Sequence, residues 1–206
     1  MKVEKGLAEG FSGKIGDMVF YQRNGQTYAR RAPTPKSSGK QKERSEKQKA
    51  STTRFQLLQR LYAYYKRSIS ADIWRVAARE KGRMAHNLFY SENYGCFDGK
   101  GQLVKPELLR FSAGSLLLPP GLRVERTGDG VFRATWEAEE EWETCAGTDR
   151  LLAGVVYPSL MPSMYRALES SGTRGELAGT FRVRTDLGPT AHVYLFFGRE
   201  DGTAYS

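Results

Sequence analysis

The sequence predicts an α+β protein: an N-terminal β-hairpin and helical region followed by an immunoglobulin or fibronectin-III-like β-sandwich. Three observations predict it. Asn24-Gly25 sits between two alternating runs, apolar residues recur at helical spacing from Phe55 to Phe89, and residues 103–206 break into short apolar runs divided by turn residues. The expected division is a basic hairpin-plus-helix region over 1–95 and a sandwich over 103–206.

Residues 6–16 hold Gly6, Gly10, Gly13 and Gly16 among Phe11 and Ile15, a backbone set to turn sharply or to lie close to another surface. Met18 to Arg23 and Gln26 to Arg31 then flank Asn24-Gly25, the pair a type I′ turn demands because both central residues need positive φ. A two-residue loop sets Arg23 opposite Gln26, Tyr21 opposite Tyr28 and Phe20 opposite Ala29. An isolated two-stranded ribbon is marginal in water, so this one is expected to dock onto a surface.

Ala32-Pro33-Thr34-Pro35 opens an extended linker, since each proline removes a donor and biases its predecessor away from helix. A helix follows over about 42–68, polar all round at first and then amphipathic through Phe55, Leu58, Leu61, Tyr62 and Tyr65. Ser70-Ala71-Asp72 marks a break with an N-cap, and Ile73, Trp74, Ala77 and Ala78 give a second helix its apolar face. A third spans about 84–93 and is expected to bury Met84, Leu88 and Phe89. Candidate strands are 114–118, 122–126, 131–136, 151–157, 164–169, 177–184 and 191–198. Seven in this length, at turn spacings of the right order, are what predict the sandwich.

The net charge of +9 is uneven. Residues 1–95 carry twenty Lys/Arg against eight Asp/Glu, a net +12, whereas 96–206 carry twelve against fifteen, a net −3. A basic module attracts nucleic acid or acidic protein surfaces. No run of eighteen apolar residues occurs and Met1 to Gly6 leads into no apolar stretch, so neither a membrane span nor a secretory signal is expected. A cytoplasmic setting is the default, with export by another route left open. Cys96 and Cys145 are too few for a disulfide framework and lack metal spacing with His86 or His192; whether they pair stays open.

No catalytic constellation emerges. Gly13-Lys14 is no phosphate loop, because Ala8 stands where glycine is needed and Ile15 where Ser or Thr is needed. Ser37-Ser38-Gly39-Lys40 has Ser-x-x-Lys spacing but lies in a linker. The two histidines read as packing residues, and Glu137, Glu139, Glu140, Glu141 and Glu143 as a solvated acidic loop. No enzyme activity, cofactor or metal is expected. The expected role is a non-enzymatic binding or assembly protein that presents the sandwich and the hairpin to a protein partner or a second copy, through Phe11, Lys14, Phe20, Tyr21, Tyr28 and Arg30. The alternative is a nucleic-acid-binding accessory protein using Lys36, Lys40, Lys42, Arg44, Lys47, Lys49 and Arg54, beside the aromatic-flanked Arg23, Arg30 and Arg31.

Gly10-Phe11-Ser12-Gly13-Lys14-Ile15-Gly16, with Val19, Tyr21, Gly25, Arg30 and Pro33, resembles the opening of an uncharacterised bacterial family common in Bacteroidales. Its members begin G-G-F-S-G-K-x-G-x-V-x-G-x-x-x-x-G and continue to R-x-x-P. The likeness extends through Gln48, Arg54 and Phe55, Ser112-x-Gly114-x-Leu116, Asp149-x-Leu151 and Val156-Tyr157. It implies the same layout over nearly the whole chain and no assigned activity. Glu9, Phe20 and the lysine-rich linker depart from the pattern.

Overall fold

The computed structural model describes residues 11–23, 25–34 and 43–206, and the chain divides into two units, Met1–Glu43 and Arg44–Ser206. Lys36, Lys40 and Lys42 lie outside the described residues. Among those described are three α-helices and ten strands in three antiparallel sheets, an α+β protein.

In the first unit β1 (Gly13–Ile15), β2 (Met18–Arg23) and β3 (Gln26–Arg31) form one sheet in that order. The register sets Arg23 against Gln26, Tyr21 against Tyr28 and Phe20 against Ala29, with Gly25 at φ +72° in the turn. A second tight hairpin, not anticipated, precedes it. Ile15 pairs with Met18 across Gly16-Asp17, and Gly16 at φ +58° supplies the positive φ that a type II′ turn needs at its first central residue.

In the second unit α1 (Glu46–Ser68) opens on a capping box: the Ser45 hydroxyl accepts from the Gln48 amide while the Gln48 side chain accepts from the Ser45 amide. Leu58, Leu61, Tyr62 and Tyr65 are its buried stripe. Between it and α2 (Ile73–Glu80), Ser70 rather than Asp72 caps, its hydroxyl accepting from the amides of Asp72 and Ile73. The third helix, α3 (Ala85–Asn93), buries Leu88 and Phe89, but Met84 stays 43% exposed. It is the extended N-cap residue and falls outside the packed face.

The β region is two stacked sheets. One has the order β10-β6-β7, from β6 (Arg150–Val156), β7 (Tyr165–Arg166) and β10 (His192–Gly198); the other has the order β4-β5-β9-β8, from β4 (Arg123–Arg126), β5 (Val131–Thr135), β8 (Leu168–Ser171) and β9 (Ala178–Arg182). An immunoglobulin domain sets its first, second, fifth and fourth strands in one sheet and its third, sixth and seventh in the other. Here the sixth strand, β9, lies in the first-strand sheet and the fourth, β7, beside the third, so the immunoglobulin order expected from sequence is not the order found. Residues 114–118 form no strand. Residues 164–169 supply two, because the chain changes sheets at buried Ala167, with Glu169 at φ +49°; such corners are how strands pass between packed sheets.

Strand β6 shows why helices and sandwich belong together. Leu151, Ala153 and Val155 enter the core between the sheets, with Phe181, Val183, Ala134, Trp136 and Phe197. Val156 enters the other core, with Phe111, Trp74, Phe89 and Leu61. Gly154 lies under the ring of Phe111, which stacks on Tyr194 at 5.0 Å, while the Tyr65 hydroxyl donates to the Phe111 carbonyl at 2.5 Å. The layers run helices, three-stranded sheet, four-stranded sheet, and the helices expected to join the N-terminal hairpin share their core with the sheet.

Candidate functional site

The sequence points to the hairpin first. Alternation places Phe20, Ala29, Met18 and Ile15 on one face and Lys14, Val19, Arg30, Tyr21, Tyr28, Arg23 and Gln26 on the other. On the first face Gly13 opposes Phe20, and its missing side chain makes room for Phe11, whose ring meets Phe20 edge-on at 5.6 Å. Ala29 is buried, while Ile15 is exposed. On the second, Tyr21 and Tyr28 stack at 5.7 Å with rings 19° from parallel. Of the six residues proposed to bind a partner, Phe11 and Phe20 therefore lie on one face and Lys14, Tyr21, Tyr28 and Arg30 on the other.

The basic run along α1 does not stay together. Lys47 and Arg54 are seven residues apart and share a face, whereas Lys49 turns away and pairs with Glu46 at 2.8 Å. Arg54 lies over the Tyr94 ring at 5.2 Å and is half-buried. Arg44 and Lys47 are exposed. A lysine-rich run in sequence becomes charge spread around a helix.

The acidic loop is not merely solvated. Glu139 accepts from the Arg174 guanidinium, and Arg174 is 4% exposed. Its Nε lies 3.4 Å from Oδ2 of fully buried Asp149, whose Oδ1 lies 3.5 Å from Arg199 Nε. Arg174 also donates to the Leu117 carbonyl and covers the Phe197 ring at 4.8 Å, and Glu141 accepts from the Gly147 amide. Glu139, Asp149, Arg174 and Arg199 thus form a charged staple between loops, while Glu137, Glu140 and Glu143 stay exposed. Tyr157 donates to the Arg184 carbonyl at 2.7 Å, and His192 opposes Val156 on β10, so neither converges with those carboxylates. Cys96 and Cys145 are free and buried; burial pushes the Cys96 thiol up to about 11, leaving it protonated and unreactive at neutral pH. Among the described residues no group of His, Cys, Asp and Glu is placed to hold a metal, and no helix is long and apolar enough to cross a membrane.

What the residue pattern did not single out is the outer edge of β10. This strand ends its sheet. In an antiparallel ladder N–H and C=O of one residue point to the same side and alternate along the strand. The Phe197 amide donates to the Ser206 hydroxyl and its carbonyl accepts from the Ser206 amide. Phe197 therefore faces away from β6, as do Leu195 and Val193. Tyr205 and Ser206 thus pair with this edge around a single β-bridge, held from the far side by Leu116, whose amide donates to the Tyr205 carbonyl at 3.1 Å, and by the Ser112 hydroxyl.

Next to the Ser206–Phe197 pairing lie Leu195 and Val193, whose backbone groups point the same way. Among the described residues no strand pairs with the backbone of Val193 and Leu195, and a groove of about 490 Å³ runs along it, lined by Leu108, Leu109 and Leu118 together with Glu107, Arg110 and Ser112. Leu108 and Leu118 are half exposed. The apolar run from His192 to Phe197 was readable as a strand; its place at an edge depends on pairing across the sheet.

No family model, curated protein or solved structure matches the chain.

Proposed function

We propose that the protein is a non-enzymatic binding or assembly protein whose sandwich takes up an extended segment of a protein partner along β10. The observation that carries this reading is the edge at Val193 and Leu195, with which no described strand pairs, beside a groove lined by Leu108, Leu109 and Leu118 as well as Glu107 and Arg110. In strand addition, main-chain hydrogen bonds supply affinity and alternate side-chain pockets supply selectivity. Tyr205 and Ser206 already use the same edge in this way, which supports its capacity for more. A long unguarded edge is a liability in a monomer; the groove leucines make it a receptor for aliphatic side chains at alternate positions. The apolar hairpin face, with Phe11, Ile15 and Phe20, is a second surface suited to docking.

The test is selection of displayed peptides on the full chain. Enriched sequences are expected to alternate aliphatic and polar residues. Val193→Pro removes one outward donor where an edge strand tolerates proline and is expected to weaken the selected peptides roughly tenfold; Leu118→Lys, at a half-exposed site, is expected to do likewise. Peptides that bind both variants as tightly as the parent would refute strand addition here.

A further inference from the structure

The other face of the hairpin sheet carries a different chemistry, independent of the β10 reading. We infer that it binds single-stranded nucleic acid, with Tyr21 and Tyr28 as the base-stacking platform and Lys14, Arg23 and Arg30 as the phosphate contacts.

The residues fall in three rows. Lys14, Val19 and Arg30 are register partners across all three strands, Tyr21 and Tyr28 form the next row on that face, and Arg23 and Gln26 the third. Rows two residues apart are about 6.8 Å apart, twice the roughly 3.4 Å rise per nucleotide of a stacked strand, so successive rows match a strand whose bases have separated. Cations thus lie on both sides of an aromatic centre. Lys14, Tyr21, Arg23 and Arg30 are exposed, and Tyr21 is 40% so. Among the described residues none of the three cations has an ion-pair partner, and the one carboxylate of this sheet, Asp17, is engaged with Arg31 at 3.3 Å. Among the described residues the face therefore carries a net positive charge.

The ligand class follows from this pairing of features. A positive surface alone attracts any polyanion. Exposed aromatic faces among the cations favour one whose bases are free to stack, since every base has a π face and duplex bases are already stacked. Val19 has no group to read a base edge, and the Gln26 Oε1 already accepts from the Tyr28 hydroxyl at 3.2 Å, so the expected binding is tolerant of sequence.

The test measures fluorescence anisotropy of a labelled single-stranded oligonucleotide with the full chain at low salt, beside a duplex of the same sequence and an abasic strand of the same length. The single strand is expected to bind more tightly than the duplex, and roughly five- to hundredfold more tightly than the abasic strand. Arg30→Glu and Arg31→Glu change the net charge equally but lie on opposite faces. Arg30→Glu is expected to weaken binding and reduce the slope of log K against log salt by about 0.7; Arg31→Glu is expected to leave that slope in place. Tyr21→Leu keeps bulk and strand preference while removing the π face, and is expected to weaken binding where Tyr21→Phe retains it, with hairpin amide shifts showing that both variants keep the sheet. Absence of binding at low salt, equal affinity for the abasic strand or the duplex, or equal effects of the two arginine reversals would each overturn the proposal.

Discussion

Strands β2 and β6 are each the middle strand of a three-stranded antiparallel sheet, yet they live in different solvents. In β6 six of seven residues are buried or partly buried, with side chains entering a core on either face. In β2 Met18, Val19 and Phe20 are half-buried, and Tyr21, Gln22 and Arg23 are exposed. The first is a near-continuous apolar run and the second an apolar start with a polar end, which is how two-sided and one-sided burial read in sequence. The difference teaches where change is tolerated: β6 contributes side chains to two cores, while β2 leaves Tyr21, Gln22 and Arg23 exposed.

The sharpest way to break that comparison is at Phe111, which joins the helices to the sheet beneath it. Phe111→Ala is expected to cost about 3–5 kcal/mol in urea unfolding. Because Trp74 lies in the helical core and Trp136 in the sandwich core, fluorescence and far-ultraviolet circular dichroism are expected to change in one coincident transition. Two resolved transitions would show that β6 does not couple the layers.

A comparable loss is expected at the charged staple. Arg174→Met leaves Asp149 and Glu139 without their central cation, and stripping one partner from a buried ion network costs about 3–5 kcal/mol. Adding Asp149→Asn is expected to restore part of that stability, because the buried carboxylate, left with only the 3.5 Å contact to Arg199, is then neutral. A double variant no more stable than the single one would place the loss in packing against Phe197 instead.

A smaller effect is expected from one methyl group. A Cβ on Gly154 would stand 2.0 Å from Phe111 Cδ1, so the ring must move from its stack on Tyr194 and Gly154→Ala is expected to cost about 1–3 kcal/mol. Gly95, with nothing within 4 Å of its would-be Cβ, is the control: Gly95→Ala is expected to stay within about 0.5 kcal/mol of the parent.

How far the sequence foretold this follows the range of the forces. Asn24-Gly25 dictates its own turn, and the register of Tyr21 with Tyr28 follows by counting. The apolar stripes of α1, α2 and α3 were readable because a helix buries residues three and four apart. The Ser45–Gln48 box is likewise local, a Ser-x-x-Gln pattern that opens α1. Strand order was not readable: β9 pairs with β5 and β10 with β6 through contacts distant in sequence, and turn spacing alone does not select among the sandwich orders. For the same reason the edge at Val193 and Leu195 and the enclosure of Arg174 by Glu139 and Asp149 emerge only once the sheets are assembled. Tyr21, Tyr28 and Arg30 were named from residue type, whereas their separation from Phe11 and Phe20 by face follows from the period of two.

The smallest expected effect tests the exposed side of the comparison. Tyr21 and Tyr28 oppose one another and stack, and such a cross-strand pair contributes about 0.2–1 kcal/mol relative to alanine. In a double-mutant cycle of Tyr21→Ala and Tyr28→Ala, a coupling within that range is expected from amide hydrogen exchange in β2 and β3, while exchange in β6 stays unchanged because the two strands belong to separate units. A coupling of zero would make the aromatic pair a feature kept for ligands alone, since stacking that does not hold the ribbon together still presents two ring faces. A change in β6 exchange would show that the hairpin is energetically tied to the larger unit, and the contrast between a ligand-bearing face and a load-sharing strand would then have to be redrawn.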